Sequence, residues 1–304
     1  MAIEKNGAVT VKPPKLKNKP YKSGKFYRIK RGISKFFTYF AVIFLACLFF
    51  FPFMYMLLSS FQPTSSDLFV WPVKWIPDTF RFRNYVDAFV TMDFMRAFFN
   101  TLFIMITANA LQIASSILVA YGFARFKNKY TEIFFWILLS TMMLPWIVTM
   151  VPSFVLYKFY GWIGTRLPLI LPAISGSAFN IYMLRNFMRG IPKSLDEAAE
   201  IDGCNSFFIL VKILAPNMTP IIVTMVVFAC TGTWGDYVGP SIYLLKQELY
   251  TLSLSFDRFK DLSGAMEWNK VMAGCVLYTV PMMILLFSAQ NVFMRGIVTT
   301  AVKE

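Results

Sequence analysis

Six long stretches of this chain contain no Asp, Glu, Lys or Arg: residues 36–61, 98–123, 133–157, 167–184, 218–234 and 271–293. A membrane-crossing helix needs about 17–25 such residues. Lipid offers no partner to an unpaired backbone amide, so runs of this kind fold as helices. Composition agrees. Hydrophobic residues make up 57% and charged residues 15%, with mean hydropathy +0.56, whereas a soluble domain is about a quarter charged. The expectation is an all-α, polytopic membrane protein with six transmembrane helices, the short fifth run extending into the apolar end of the preceding hairpin.

Basic residues orient the spans, because Lys and Arg accumulate in cytoplasmic segments. Eleven precede Phe36, three lie in Arg125–Tyr130, four between Arg185 and Lys212, and two in the last ten residues, so one side holds twenty of the thirty. The other ten share the opposite loops with nine acids. Both termini are therefore expected in the cytoplasm. The net charge of +14 is mostly this bias, not a nucleic-acid footprint. The tail 1–35 reads as a solvated, proline-punctuated arm near anionic lipid, too long and polar for a cleaved signal peptide.

Several chemistries lack their residues. The chain has no histidine, and Cys47, Cys204, Cys230 and Cys275 show neither disulfide nor metal spacing; no metal site and no bound cofactor are expected. A proton-coupled carrier keeps ionisable groups at membrane depth, yet the six runs hold none, and Asp236 sits close, just past the outer end of the fifth. No G-x-x-x-x-G-K-[ST] phosphate loop occurs, so energy for pumping would enter through another polypeptide. Asp257, Asp261 and Glu267 are dispersed among Arg258, Lys260 and Lys270. That pattern reads as solvated surface, and a membrane-embedded glycan-modifying enzyme, which would need those carboxylates, is the weaker alternative.

Residues 191–220, IPKSLDEAAEIDGCNSFFILVKILAPNMTP, place a polar hairpin between two apolar runs. Ser194 and Glu197 have capping-box spacing, which starts a helix at Leu195. Gly203 suits the left-handed residue that ends it, and Asn205 or Ser206 can cap a second helix delimited by Pro216 and Pro220. Ala198 and Ala199 give the first helix a smooth side; Asp196, Glu197, Glu200 and Asp202 give it an acidic one. Composition alone fits a partner-docking element and a re-entrant linker equally.

The order Glu197-Ala198-Ala199, Gly203, then Ile213-Leu214-Ala215-Pro216 resembles the EAA signature of the membrane subunits of ATP-binding-cassette importers, with Ala215 where leucine is usual. FPFMYMLLSSFQP from Phe51, IYMLRNFMRGIP from Ile181, WGDYVGPSIYL from Trp234 and FMRGIVTTAVKE from Phe293 are similar to the carbohydrate-uptake branch, the type that includes the shorter subunit of the maltose permease. The resemblance implies a type I importer fold over residues 36–304, with a core at about 94–290 and a coupling loop at 191–216. It also implies that helix 195–202 seats in a cytoplasmic ATPase subunit, with Glu197 making polar contact, Asp202 beside it, and Gly203 setting the turn. ATP and Mg would act on two such partner subunits in a bacterial cytoplasmic membrane. A second, non-identical permease and an extracytoplasmic solute-binding protein would complete the assembly. A non-sugar cargo on the same scaffold is the alternative within this class.

Candidate residues for a solute path are polar groups inside the runs. Asn109, Gln112 and Ser116 share one helical stripe, and Ser177 and Asn180 fall together in the fourth run. Such groups also serve as bonds between neighbouring helices. The segment Thr231–Tyr237 adds Trp234, Asp236 and Tyr237, either sugar-binding equipment or an interfacial aromatic belt.

Overall fold

The computed structural model describes residues 25–68, 71, 74–126, 128–260 and 266–301, and the side chains within them except at 25–31, 66–67 and 291–301. The basic tail before Lys25, Lys127, Asp261 and the last three residues lie outside the described residues. Helix α1 (Lys25–Ser59) is followed by α2 (Arg83–Thr91), α3 (Phe94–Arg125), α4 (Thr131–Thr141) and α5 (Trp146–Phe159). Next come α6 (Leu167–Ile170), a 3-10 turn Leu171–Ser175 and α7 (Ala178–Arg189). The hairpin comprises α8 (Ser194–Ile201), α9 (Ser206–Phe208), a π-helical stretch Ile209–Leu214 and α10 (Ala215–Asn217). Helices α11 (Thr219–Gly235), α12 (Val238–Tyr243) and α13 (Trp268–Ala301) complete the chain. Among the described residues the β contribution is one isolated bridge between Lys260 and Met266.

Four helical segments are long and apolar enough to cross a membrane: Gly32–Ser59, Phe94–Arg125, Leu167–Arg189 and Trp268–Gln290. The count reaches six if each of two bent pairs forms one span. The third apolar run is broken, α4 and α5 meeting at 95°. Pro145 stands in the break with φ −59° and ψ 131°. Its ring disfavours helix in the preceding residue, and its missing N–H opens the ladder. At the entry to the fifth run the chain bends by 81° between the hairpin's second arm and α11, flanked by Pro216 and Pro220, so the apolar end of the hairpin does not extend that run in line. Pro168 and Pro172 open α6 and the 3-10 turn, while Pro152 and Pro281 lie inside α5 and α13.

The chain divides into two units, 1–54 and 55–304. In the first, Phe36, Phe40 and Phe44 of α1 stack in register at 6.4 and 6.3 Å and remain exposed. A surface of this kind is suited to lipid.

The second unit is built around α3, which packs on α7 and α11. Small residues permit the approach. Ala108, Ala120 and Ala124 of α3 are buried, and Gly176 adopts φ +77° with its Cα hydrogen facing α3, where an added Cβ would lie 3.1 Å from Ser116 Oγ. Only glycine holds that backbone without strain at that distance. The break leaves amides at the start of α7 unpaired, and Ser177 N–H donates to Ser116 Oγ at 3.1 Å.

Two apolar clusters fill the ends of this unit. One joins Ala120 and Ala124 to Leu184 and Met188 of α7, Ala199 of α8, and Leu210 and Leu214 of the hairpin's second arm. The other joins Met92 and Ala97 to Trp234, Leu252, Phe259 and Ala273. Near that second cluster, Asn100 donates to the carbonyls of Glu248 and Tyr250 at 2.8 and 3.0 Å and accepts from Arg166 at 2.6 Å. Thr101 accepts from Leu252 N–H at 2.8 Å. Thus the Arg125 end of α3 carries the hairpin, and the Asn100 end is stitched to the loop after α12.

Candidate functional site

The hairpin is closed by backbone geometry. Helix α8 begins one residue earlier than the capping-box spacing predicts. Lys193 already has helical dihedrals, φ −67° and ψ −22°, and no side chain caps the helix. Its carbonyl accepts from Asp196 and Glu197 N–H at 2.9 and 3.0 Å. Ser194 is therefore inside the first turn, and Glu197 is exposed without a capping task. At the other end Gly203, φ +80°, donates to Glu200 O, and Cys204 N–H to Ala199 O, each at 3.0 Å. This reciprocal pair is the glycine stop expected there. Asn205 Oδ1 then accepts from Phe208 N–H at 2.8 Å and caps the second arm.

The two sides of α8 differ from the sequence expectation in one respect. Ala199 is buried in the core and Ala198 is exposed; Glu197, Glu200 and Asp202 face outward. Asp196 does not join them. It turns inward to Arg125, Nε to Oδ2 at 2.6 Å, with the two side chains only 6% and 13% exposed. Arg125 Nη2 also donates to Ile191 O at 3.3 Å. Two large apolar groups that composition did not single out are also exposed on the hairpin: Ile201, between Glu200 and Asp202 in sequence, at 87%, and Phe207 of the second arm at 66%. Pro216, beyond the π-helical stretch, is exposed.

A second charged group sits beside the first. Arg185 is buried and pairs with Glu132, which also pairs with Arg189 at 2.6 Å. Arg185 Nε donates to Phe123 O at 3.2 Å, and its guanidinium lies 3.6 Å from the Phe135 ring centre. Carbonyls in the last turn of α3 are unpaired within the helix, so a cation there is favoured by hydrogen bonding and by the helix dipole.

A cavity of about 640 Å³ opens along the other half of α3. Its chemistry comes from Asn109 and Gln112 of α3, Trp146 at the start of α5, Thr233 of α11, and Asp236 just past the end of α11. Thr233 donates to Asn109 Oδ1 at 3.2 Å, and Asn109 Nδ2 lies 3.8 Å from Cys230 Sγ. Gln112 has no side-chain hydrogen bond among the described residues, so its amide is available. Burial pushes the Asp236 carboxyl above its usual range, partly offset by the backbone N–H groups of Gly239 and Val238. The lining is otherwise largely apolar, with Trp146 its one aromatic side chain and Asp236 its one charged group.

The remaining sequence candidates lie elsewhere. Ser116 is buried in its bond to Ser177, and Asn180 is buried on α7 outside the cavity wall. Trp234 is packed between Phe98 and Tyr278, with ring centres 6.1 and 5.5 Å away. Tyr237 is exposed and donates to Asp257 at 2.9 Å, a bond that raises its pKa. Asp257 also pairs with Lys260 at 2.6 Å, and Glu267 with Lys270. These carboxylates are spent on neighbouring cations, as solvated surface predicts. Trp146 was not among the candidates, although its position directly after Pro145, at a helix break, was a usable signal.

Membrane-length helices, an exposed hairpin and a cavity with a few convergent polar groups are the construction of a solute-transport subunit. Residues 112–299, more than half of the chain, match the family described as binding-protein-dependent transport system inner membrane component, and the chain belongs to that family. It is 31% identical over 276 residues to the probable starch degradation products transport system permease protein AmyC of Thermoanaerobacterium thermosulfurigenes, covering 90% of this chain and 99% of the relative. It is 30% identical to the melibiose/raffinose/stachyose import permease protein MelC of Bacillus subtilis (85% and 93% covered). To the lactose transport system permease protein LacG of Rhizobium radiobacter it is 29% identical (81% and 88%). The fold is shared with a chain of a bacterial ABC transporter that imports the acidic polysaccharide alginate, at TM-score 0.73 and 19% identity over 86% of this chain and 96% of that one. The protein is thus a multi-pass permease subunit of an importer and not an enzyme.

Proposed function

We propose that this permease moves an oligosaccharide or similar polyhydroxylated solute inward, unmodified, as one of two non-identical membrane subunits. The observation that carries the reading is the lining of the α3 cavity. A free amide, a hydroxyl and an indole face it, with a single carboxyl and no cation among the lining residues. Sugar hydroxyls need neutral donors and acceptors with an apolar face to stack on, and cationic cargo would favour a fully charged wall. Relatives named for lactose and for melibiose, raffinose and stachyose support the same class. On this reading Asn109, Gln112 and Asp236 contribute to the path directly. Ser116, Asn180 and Trp234 support its walls, and Tyr237 belongs to the rim.

Energy enters at α8. Two ATPase subunits carrying ATP and Mg would bind the hairpins of the paired permeases, Glu197 and the neighbouring acids making polar contact and Ile201 the apolar one. The excess of Lys and Arg on the hairpin side supports a cytoplasmic hairpin with cytoplasmic termini. An extracytoplasmic binding protein would deliver solute at the opposite end. Purification from native membranes tests the assembly: recovery without any ATPase subunit overturns it. Screening sugars for binding-protein-dependent ATPase stimulation tests the cargo, and stimulation by amines or phosphonates but by no sugar would reassign it.

A further inference from the structure

The hairpin is bonded to the cavity wall by a route that does not follow the chain. The second arm leads into α11 through a π-helical stretch and an 81° bend. The first arm leads back through residues 190–193 to α7, and the chain breaks at Gly176 and Ser177 between α7 and the 3-10 turn whose Pro172 and Ala173 line the cavity. Both covalent paths from α8 to the cavity therefore contain a break.

Helix α3 contains none. Among the described residues it is the one membrane-length helix with neither an internal proline nor an interruption; α1 contains Pro52, α13 contains Pro281, and the others are bent or broken. Its last residue, Arg125, holds Asp196 of α8 at 2.6 Å and the carbonyl of Ile191 at 3.3 Å. Phe123, two residues earlier, is held by Arg185 of α7. From Arg125 the helix runs about 20 Å to Gln112 and about 24 Å to Asn109 in the cavity, at about 1.5 Å per residue. The link is buried, so salt and water screen it little.

We propose that Arg125 and Asp196 are positioning residues that make α8 and α3 move as one body, so that displacement of the hairpin reaches the cavity wall through this ion pair. The inference rests on the reading of α8 as the ATPase-docking element. A hairpin tied only by its chain connections could shift at the two breaks and leave Asn109 and Gln112 where they were. The pair therefore sets how much solute movement each ATP produces, and it touches neither ATP nor solute.

The test uses the complete importer in proteoliposomes. Asp196→Asn removes one charge at constant shape and Arg125→Gln removes the other with a shorter polar side chain; the swap Asp196→Arg with Arg125→Asp restores the pair in reverse. Expected is retention of the ATPase subunits and of ATP hydrolysis in both neutral variants, with solute moved per ATP reduced at least tenfold. The swap should recover a substantial part of that ratio. Unchanged transport per ATP in the neutral variants overturns the proposal. So does partial loss of the ATPase subunits with an unchanged ratio in the complexes that keep them, which would make the pair a folding element of the hairpin. If a neutral variant fails to insert, the swap decides: coupled transport supports the link and uncoupled hydrolysis overturns it. Absence of ATPase subunits from the unmodified complex is a separate result that removes the docking reading, and the link with it.

Discussion

Thr233 of α11 donates its hydroxyl to Asn109 Oδ1 of α3 at 3.2 Å, so the two principal walls of the cavity are bonded to each other at its lining. Asn109 thereby serves the packing as well as the path, whereas Gln112, one turn further along α3, is uncommitted. The two residues should separate experimentally.

Thr233→Val removes an interhelical hydrogen bond and is expected to lower stability by about 0.6–1.7 kcal/mol, read as thermal unfolding in detergent. Gln112→Ala should change stability by less than about 0.5 kcal/mol while reducing solute-stimulated ATP hydrolysis. Normal stimulation with the Gln112 variant would remove that side chain from the path.

At Gly203 the space is open, with nothing within 4 Å of an added Cβ, and only the backbone angle of φ +80° resists substitution. Gly203→Val should therefore cost about 1–2 kcal/mol locally. Gly203→Asn should cost less, since asparagine tolerates the left-handed region. The hairpin's protease sensitivity and its hold on the ATPase subunit should follow that order, and equal behaviour of the two variants would show that the turn conformation is not what matters.

Ile201 is almost fully exposed in the isolated chain. Ile201→Ser should leave insertion and melting unaltered yet release the ATPase subunit during purification, because apolar surface buried only in the complex stabilises only the complex. Co-purification at the normal ratio would place the contact elsewhere.

Arg185 combines an ion pair with Glu132, a bond to Phe123 O and a stack on Phe135. Arg185→Met should destabilise the protein by about 1–3 kcal/mol, below the cost of breaking a fully buried pair because Glu132 is half exposed and can rehydrate. Arg185→Lys should not rescue it, since an ammonium cannot stack and donate in a plane at once. Full recovery by lysine, measured as the unfolding midpoint, would reduce the interaction to charge alone.

Much of this architecture was legible from local patterns. Uncharged runs mark helices because lipid forbids anything else, and Gly203 and Asn205 mark turns because their conformational preferences act over three or four residues. What escaped depends on distant partners. Asp196 sits among acids in sequence, and nothing local separates it from Glu197; its partner Arg125 is 71 residues away. Trp234 and Asp236 are neighbours in one motif, yet a helix end sends the indole into the core and the carboxylate to the cavity. The bends were legible only as prolines, since proline at 145 accompanies a 95° turn while Pro152 and Pro281 sit inside continuous helices.

The 81° turn between the hairpin's second arm and α11 bears on the kind of machine this is. A straight continuation would make the arm a piston, delivering thrust along the axis of the span it enters. Set nearly at right angles and reached through a π-helical stretch, the arm has no such axis to push along. Axial thrust from the hairpin is left to the straight α3, which meets it at Arg125.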